Sequence, residues 1–187
     1  MTRWVVRGLV LAAVAVVAGC GGDGEPETAP PVAITPSPSA AASAGPVYAL
    51  AGNLCGVADQ KPLDELFPTV TGKPIADSPR LCATSRRSST VSVSLSIDAE
   101  LLRTEQQAKL FLDAARRTNK VGTPTDVQGV GTDAYWAGDP KEVNLTAYDG
   151  NLVLELRIAS VGDNPLPQGV PERLARVAEG TFAKLAP

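Results

Sequence analysis

Three cysteines carry the most legible chemistry in this 187-residue chain, because it contains no histidine. Without imidazole, Ser-His-Asp and Cys-His pairs are excluded and most zinc sites lose their commonest ligand. Cys20 closes the run Val17-Ala18-Gly19-Cys20, small residues leading directly into a thiol. That pattern reads as a lipobox: small side chains suit a signal-peptidase groove, and the Cys20 thiol accepts a diacylglycerol before cleavage leaves it as an acylated N-terminus. Two or three acyl chains hold a protein at a membrane far better than one. An ordinary secretory signal with an incidental cysteine, or a marginal anchor helix, are the other readings. Cys55 and Cys82 are then left, and in an oxidising compartment two thiols most simply pair as a disulfide. Closing a loop of about 27 residues corresponds to about 3–4 kcal/mol by the chain-entropy estimate. The alternatives are a reactive thiol, or a metal site lacking its other ligands.

Other constellations point to structure rather than chemistry. Gly129-Val130-Gly131-Thr132-Asp133-Ala134 fits the letters of a dinucleotide fingerprint, with Asp149 near the spacing of a ribose contact. Yet it runs into Tyr135-Trp136 and a hairpin instead of a helix, so the glycines are read as shaping a tight connection. Gly72-Lys73 lacks the remaining residues of a phosphate loop, is followed by Pro74, and is read as a loop. Asp64, Glu65, Asp98 and Glu100 are considered as an acid and base, but no spacing sets two of them across a cleft, and solvated ends of elements are the expectation. Asp133, Asp139, Glu142 and Asp149 follow no regular calcium loop. Arg116, Arg117 and Lys120 close a helix, where cations suit the negative end of its dipole. Tyr135, Trp136 and Tyr148 gather around one hairpin, as core or as a recognition patch. The sequence thus predicts no catalytic residue, no metal and no cofactor.

The rest of the chain supplies an address. Arg3 and Arg7 precede an apolar run from Gly8 to Ala18, too short to span about 30 Å of hydrocarbon but suited to a signal peptide over 1–19. From Gly21 to Pro46, 21 of 26 residues are Pro, Gly, Ala, Ser or Thr. Residues 20–46 therefore read as the lipidated cysteine and a Pro/Ala/Ser-rich tether, too poor in apolar groups to fold. Residues 47–187 are enough for one domain. The net charge of -3 over the whole chain argues against a nucleic-acid partner.

Within that domain, periodicity predicts the elements. Asn53 caps a first turn and Pro62 starts a short broken helix that sends Leu63, Leu66 and Phe67 inward. Thr90 to Asp98 alternates as a half-buried strand. Thr104 with Gln107 forms a capping box for a helix whose stripe is Ala108, Phe111, Leu112 and Ala115, running to about Asn119. Ala134 to Ala137 reads as a strand. Asp149-Gly150 reads as a two-residue hairpin turn pairing Ala147 with Leu152, Leu145 with Leu154 and Val143 with Leu156. Pro171 opens a last helix with Leu174, Val177, Ala178, Thr181, Phe182 and Leu185 on one side. The predicted class is α+β, an antiparallel sheet with helices packed on one face, in the order α-ββ-α-βββ-α.

The lipobox, the tether, Asn53-Leu54-Cys55 before a short helix, Leu81-Cys82 ahead of a strand, and the stretch from Val127 to Ala134 together resemble an actinobacterial lipoprotein family known only as a domain of unknown function. Ala83 departs from the aromatic expected after the second cysteine. The element order is also similar to PsbP-like α/β domains, by analogy alone. The resemblance implies an address and a fold, and no activity. The functional expectation is a cell-envelope lipoprotein on the extracytoplasmic face of the cell membrane, anchored by palmitate-type chains on Cys20. It would act as a non-catalytic module that binds another envelope protein; the alternative is a carrier or sensor of an apolar, lipid-like ligand.

Overall fold

A computed structural model describes residues 45–187. The expected signal peptide, the expected lipidation site Cys20 and nearly all of the expected tether lie outside the described residues. The elements run α1 (Leu54–Val57), a 3-10 turn (Lys61–Leu63), β1 (Thr69–Asp77), β2 (Leu81–Arg87), β3 (Ser92–Leu101), α2 (Glu105–Thr118), β4 (Thr125–Val127), β5 (Asp133–Gly138), β6 (Glu142–Asp149), β7 (Leu152–Val161) and α3 (Val170–Leu185). All seven strands join one antiparallel sheet in the order β1-β2-β3-β7-β6-β5-β4, so the fold is α+β.

Strand alternation decides what covers the sheet. Val93, Leu95 and Ile97 of β3 share a face with Leu154, Leu156 and Ile158 of β7 and with Val143, Leu145 and Ala147 of β6, as the registers require. This face is closed by α1, the 3-10 turn and α3, whose Leu54, Leu63, Leu174, Val177 and Ala178 join the same apolar cluster, together with Phe67 just beyond the 3-10 turn. The disulfide Cys55–Cys82 fastens α1 to β2, with 4.8 Å between its Cα atoms.

The expectation that all helices lie on one face is corrected. Tyr135 and Ala137 of β5, Tyr148 of β6 and Val153 of β7 are apolar groups out of phase with that face, and they form a second cluster with Ala108 and Leu112 of α2. Both faces of the β5-β6-β7 half carry apolar surface, so both need a covering layer. α2 supplies the second one. Its start is as predicted: the Thr104 hydroxyl accepts from the Gln107 backbone, while the Gln107 amide reaches back to the Arg103 N–H.

Two strands are added to the predicted order. β4 has only three residues, below what alternation reveals, and β1 holds Gly72, Lys73 and Pro74, which read as a loop. β1 is an edge strand whose pairing slips between Thr71 and Ala76, and an edge or bulge is where a sheet tolerates Pro. The hairpin turn is also shifted. Asp149 still pairs with Leu152, so Gly150 and Asn151 form the turn and the observed partners are Ala147–Leu154, Leu145–Leu156 and Val143–Ile158. The shift moves the pairing by two residues and therefore keeps every side chain on its predicted face. Its cause is that Asp149 and Asn151 are both engaged: Asp149 accepts from the Tyr48 and Thr132 hydroxyls, and Asn151 Oδ1 accepts from the Tyr48 N–H. The same contacts extend the domain upstream. Gly45 donates its N–H to Glu105, and a Cβ on Gly150 would stand 1.8 Å from the Pro46 carbonyl, so Gly45 and Pro46 are docked rather than part of the tether.

Candidate functional site

α2 covers only the β5-β6-β7 half of its face. Beyond it, the outward residues of β2, β3 and β7 are left to solvent, and they are polar: Ser94, Asp98, Glu100, Glu155 and Arg157 are all exposed. Where the bare surface meets α2, a cleft of about 350 Å³ opens, with Ser96, Asp98, Asn144, Glu155 and Arg157 on its floor and Thr118 and Asn119 at the helix end.

Register makes the floor unusual electrostatically. Asp98 and Glu155 stand directly opposite each other on β3 and β7, and Glu100 is two residues along from Asp98 on the same side. Partial burial raises the Asp98 carboxyl above its ordinary range. Glu155 is raised as well, first by burial and then by the neighbouring charges of Asp98 and Glu100. Arg157 does not neutralise them, because its guanidinium forks onto Glu142 at 2.9 and 2.7 Å, holding that carboxyl low. Asn144 donates to Glu142 at 3.0 Å, while its Oδ1 is shut off from solvent with no partner. The carboxylates thus stand side by side on one surface, available to a group that brings positive charge or hydrogen-bond donors.

The sign of the Glu155 shift makes a prediction. A carboxyl whose folded pKa lies above its unfolded value favours the fold while protonated, and that contribution is lost as pH rises through the folded value. Glu155→Gln is therefore expected to stabilise the chain at pH 7, where like charges opposite each other cost about 0.2–1 kcal/mol, and to change little near pH 4. Urea unfolding at both pH values checks this; an equal gain at each would show that charge is not the cause.

The residues singled out by sequence scatter. Asp64 pairs with Arg86, Glu65 with Arg173, and Asp133 with Arg116 at 3.0 Å. Asp139 accepts from the Lys141 and Glu142 backbones in a turn. Among the described residues no cluster of Cys, Asp and Glu is arranged to hold a metal. Arg116 also lies 5.2 Å over the Tyr135 ring, while Arg117 and Lys120 are exposed. The three hairpin aromatics do not make one patch: Tyr135 and Tyr148 are buried beneath α2, and Trp136 points to the other face, beside the start of α3. The Gly129–Gly131 stretch is a turn. A Cβ on Gly131, whose φ is 57°, would meet the Tyr148 carbonyl at 2.4 Å. Glu155 escaped sequence reading because only the β3–β7 register brings it to Asp98, and those strands are joined through α2 and three further strands. Comparison with protein-family models, curated proteins and solved structures finds no match to this chain.

Proposed function

We propose that this chain is a lipoprotein of the cell envelope, acylated on Cys20 and held at the extracytoplasmic face of the membrane. Its domain acts as a non-catalytic binding module that engages a protein partner through the half of the sheet that α2 leaves bare. The observation that carries this reading is the facing pair Asp98 and Glu155 with Glu100 beside it. Like charges set opposite each other lower stability, and among the described residues no ion pair relieves Asp98, Glu100 or Glu155, with Arg80 lining the hollow beside them. A partner offering basic or donor groups to that surface would do so. A disulfide also suits a compartment outside the cytoplasm. The lipoprotein family likeness agrees with this address. The alternative, a carrier of an apolar ligand, draws no support from the core, where Leu63, Phe67, Leu95, Ile97 and Leu174 fill the space between sheet and helices at 0–1% exposure.

In-cell crosslinking tests the reading. A photoreactive residue at Ser94 or Ser96 is expected to give the same adduct repeatedly, and one at Ala183, exposed on the outer side of α3, is expected to give none. Cys20→Ala should remove both the membrane association and the adduct. Absence of a reproducible adduct at Ser94 and Ser96 would overturn the binding face, and membrane retention of the Cys20→Ala chain would overturn the lipid anchor.

A further inference from the structure

A second polar constellation lies on the core side of the sheet, away from the bare face. Arg86 occupies the β2 position that follows Cys82 and Thr84 on the buried side, where the rest of the sheet presents hydrocarbon. Its side chain is only 4% exposed. Nη1 donates to Asp64 Oδ1 at 2.7 Å and to the Phe67 carbonyl at 3.3 Å, and Nη2 donates to Gln60 Oε1 at 3.2 Å. Nε is excluded from solvent and has no partner. A guanidinium carries five N–H donors in a fixed fork, and a buried donor left unmade is costly. Its one counter-ion among the described residues, Asp64, has a side chain that is 56% exposed and can swing away. A fold that needed Arg86 solely as a strut would gain from burying its carboxylate and satisfying its Nε.

Arg86 forms part of the lining of a groove of about 400 Å³ between the 3-10 turn, the end of α3 and the edge strand β1. Lys61 and Lys184 stand on its exposed rim, and Val70 and Pro74 of β1 give it an apolar wall. Lys184 is shared with Asp59 at 3.1 Å. Against Asp59 and Asp64, the three cations leave a surplus of one positive charge. A planar fork with a surplus of one charge suits a carboxylate, which a guanidinium grips bidentately, better than a phosphate dianion.

We infer that this groove binds a ligand bearing a single carboxylate, which displaces Asp64 from Arg86 while an adjoining apolar group lies against Val70 and Pro74. A small acid, an acidic side chain and a free chain end share this chemistry. The inference is independent of the bare-face reading, since the two surfaces lie on opposite sides of the sheet and share no residue.

The test uses the whole chain, labelled with nitrogen-15 in detergent micelles, and follows the Arg86 Nε–H and Gln60 amide resonances. N-acetyl-leucine is expected to shift both saturably with a Kd on the order of 1 mM. N-acetyl-leucinamide and inorganic phosphate are expected to leave them in place. Asp64→Asn removes the competing anion and should tighten binding about fivefold, whereas the paired variant Lys61→Gln with Lys184→Gln should weaken it about threefold. A strut-only Arg86 predicts that Asp64→Asn lowers the melting temperature with no gain in binding. The exposed lysine pair keeps the test decisive if Asp64→Asn does not fold. No saturable shift, equal shifts from the neutral amide, stronger binding of phosphate as the source of the anion, or an unchanged Kd in the lysine variant would each overturn the inference.

Discussion

Replacing Cys55 by serine together with Cys82 by alanine is expected to lower the unfolding free energy by about 3–4 kcal/mol, the value for removing a cross-link across 27 residues. The location of the bridge makes the loss hard to recover. α1 has four residues, far short of what sustains a helix in water, and Asn53 at its start makes no side-chain capping bond. What holds α1 to the sheet is the disulfide, the Leu54 N–H to the Ser78 carbonyl at 2.9 Å, the Cys55 N–H to Asp77 Oδ1 at 3.1 Å, and the burial of Leu54. The enclosed loop contains the 3-10 turn and the edge strand, so freeing it loosens Leu63 and Phe67, both fully buried. It also loosens Gln60, whose amide rests on Cys82 Sγ at 3.3 Å and whose carbonyl accepts from Arg86. Urea unfolding with and without reductant checks the prediction in the unsubstituted chain, and the variant should match the reduced protein. A loss below about 1 kcal/mol in both would mean that packing alone fixes α1, and that the chain-entropy argument does not apply to this loop.

The elements legible in the sequence are those whose stabilising groups are local. The α2 capping box, the proline at the start of α3 and the alternation from Val91 to Ile97 each announce themselves within a few residues, and each is present. The hairpin turn was legible in face but not in position. Asp149-Gly150 has the right letters for the turn, yet Tyr48, 101 residues earlier, donates to Asp149 and holds it in the strand. The distribution of helices over two faces was written in Tyr135, Tyr148 and Val153, out of phase with their neighbours, but a single tyrosine in a strand signals nothing until its partners across the ladder are known. The candidate site is less legible still. Asp98 and Glu100 were visible as carboxylates at the solvated end of a strand; Glu155 becomes their neighbour only through the β3–β7 register. Arg86, in the run Ser85-Arg86-Arg87-Ser88, gives no local sign that it is turned inward while Arg87 is exposed.

Leu112→Ala should separate the two layers of the fold. Leu112 has no exposed surface and belongs to the smaller cluster, where Ala108, Tyr135, Tyr148 and Val153 are its apolar neighbours. Its truncation is expected to cost about 2–5 kcal/mol through lost burial and the cavity left behind. Because α2 rests on this cluster and contributes none of its buried residues to the main core, the loss should fall first on the helix. Amide exchange in α2 should then quicken through local opening while β7 keeps its protection. Leu174→Ala, the same deletion on the opposite face, acts on the main core and should lower the protection of β3 and β7 instead. The comparison bears on function, because Thr118 and Asn119 at the end of α2 wall the cleft beside Asp98 and Glu155. At a temperature where both variants retain the sheet, a crosslink from Ser96 should be lost in Leu112→Ala and kept in Leu174→Ala. If the two variants lose α2 protection equally, the domain opens as one cooperative unit. The bare face would then owe its shape to the whole fold rather than to a helix that has its own, separate footing.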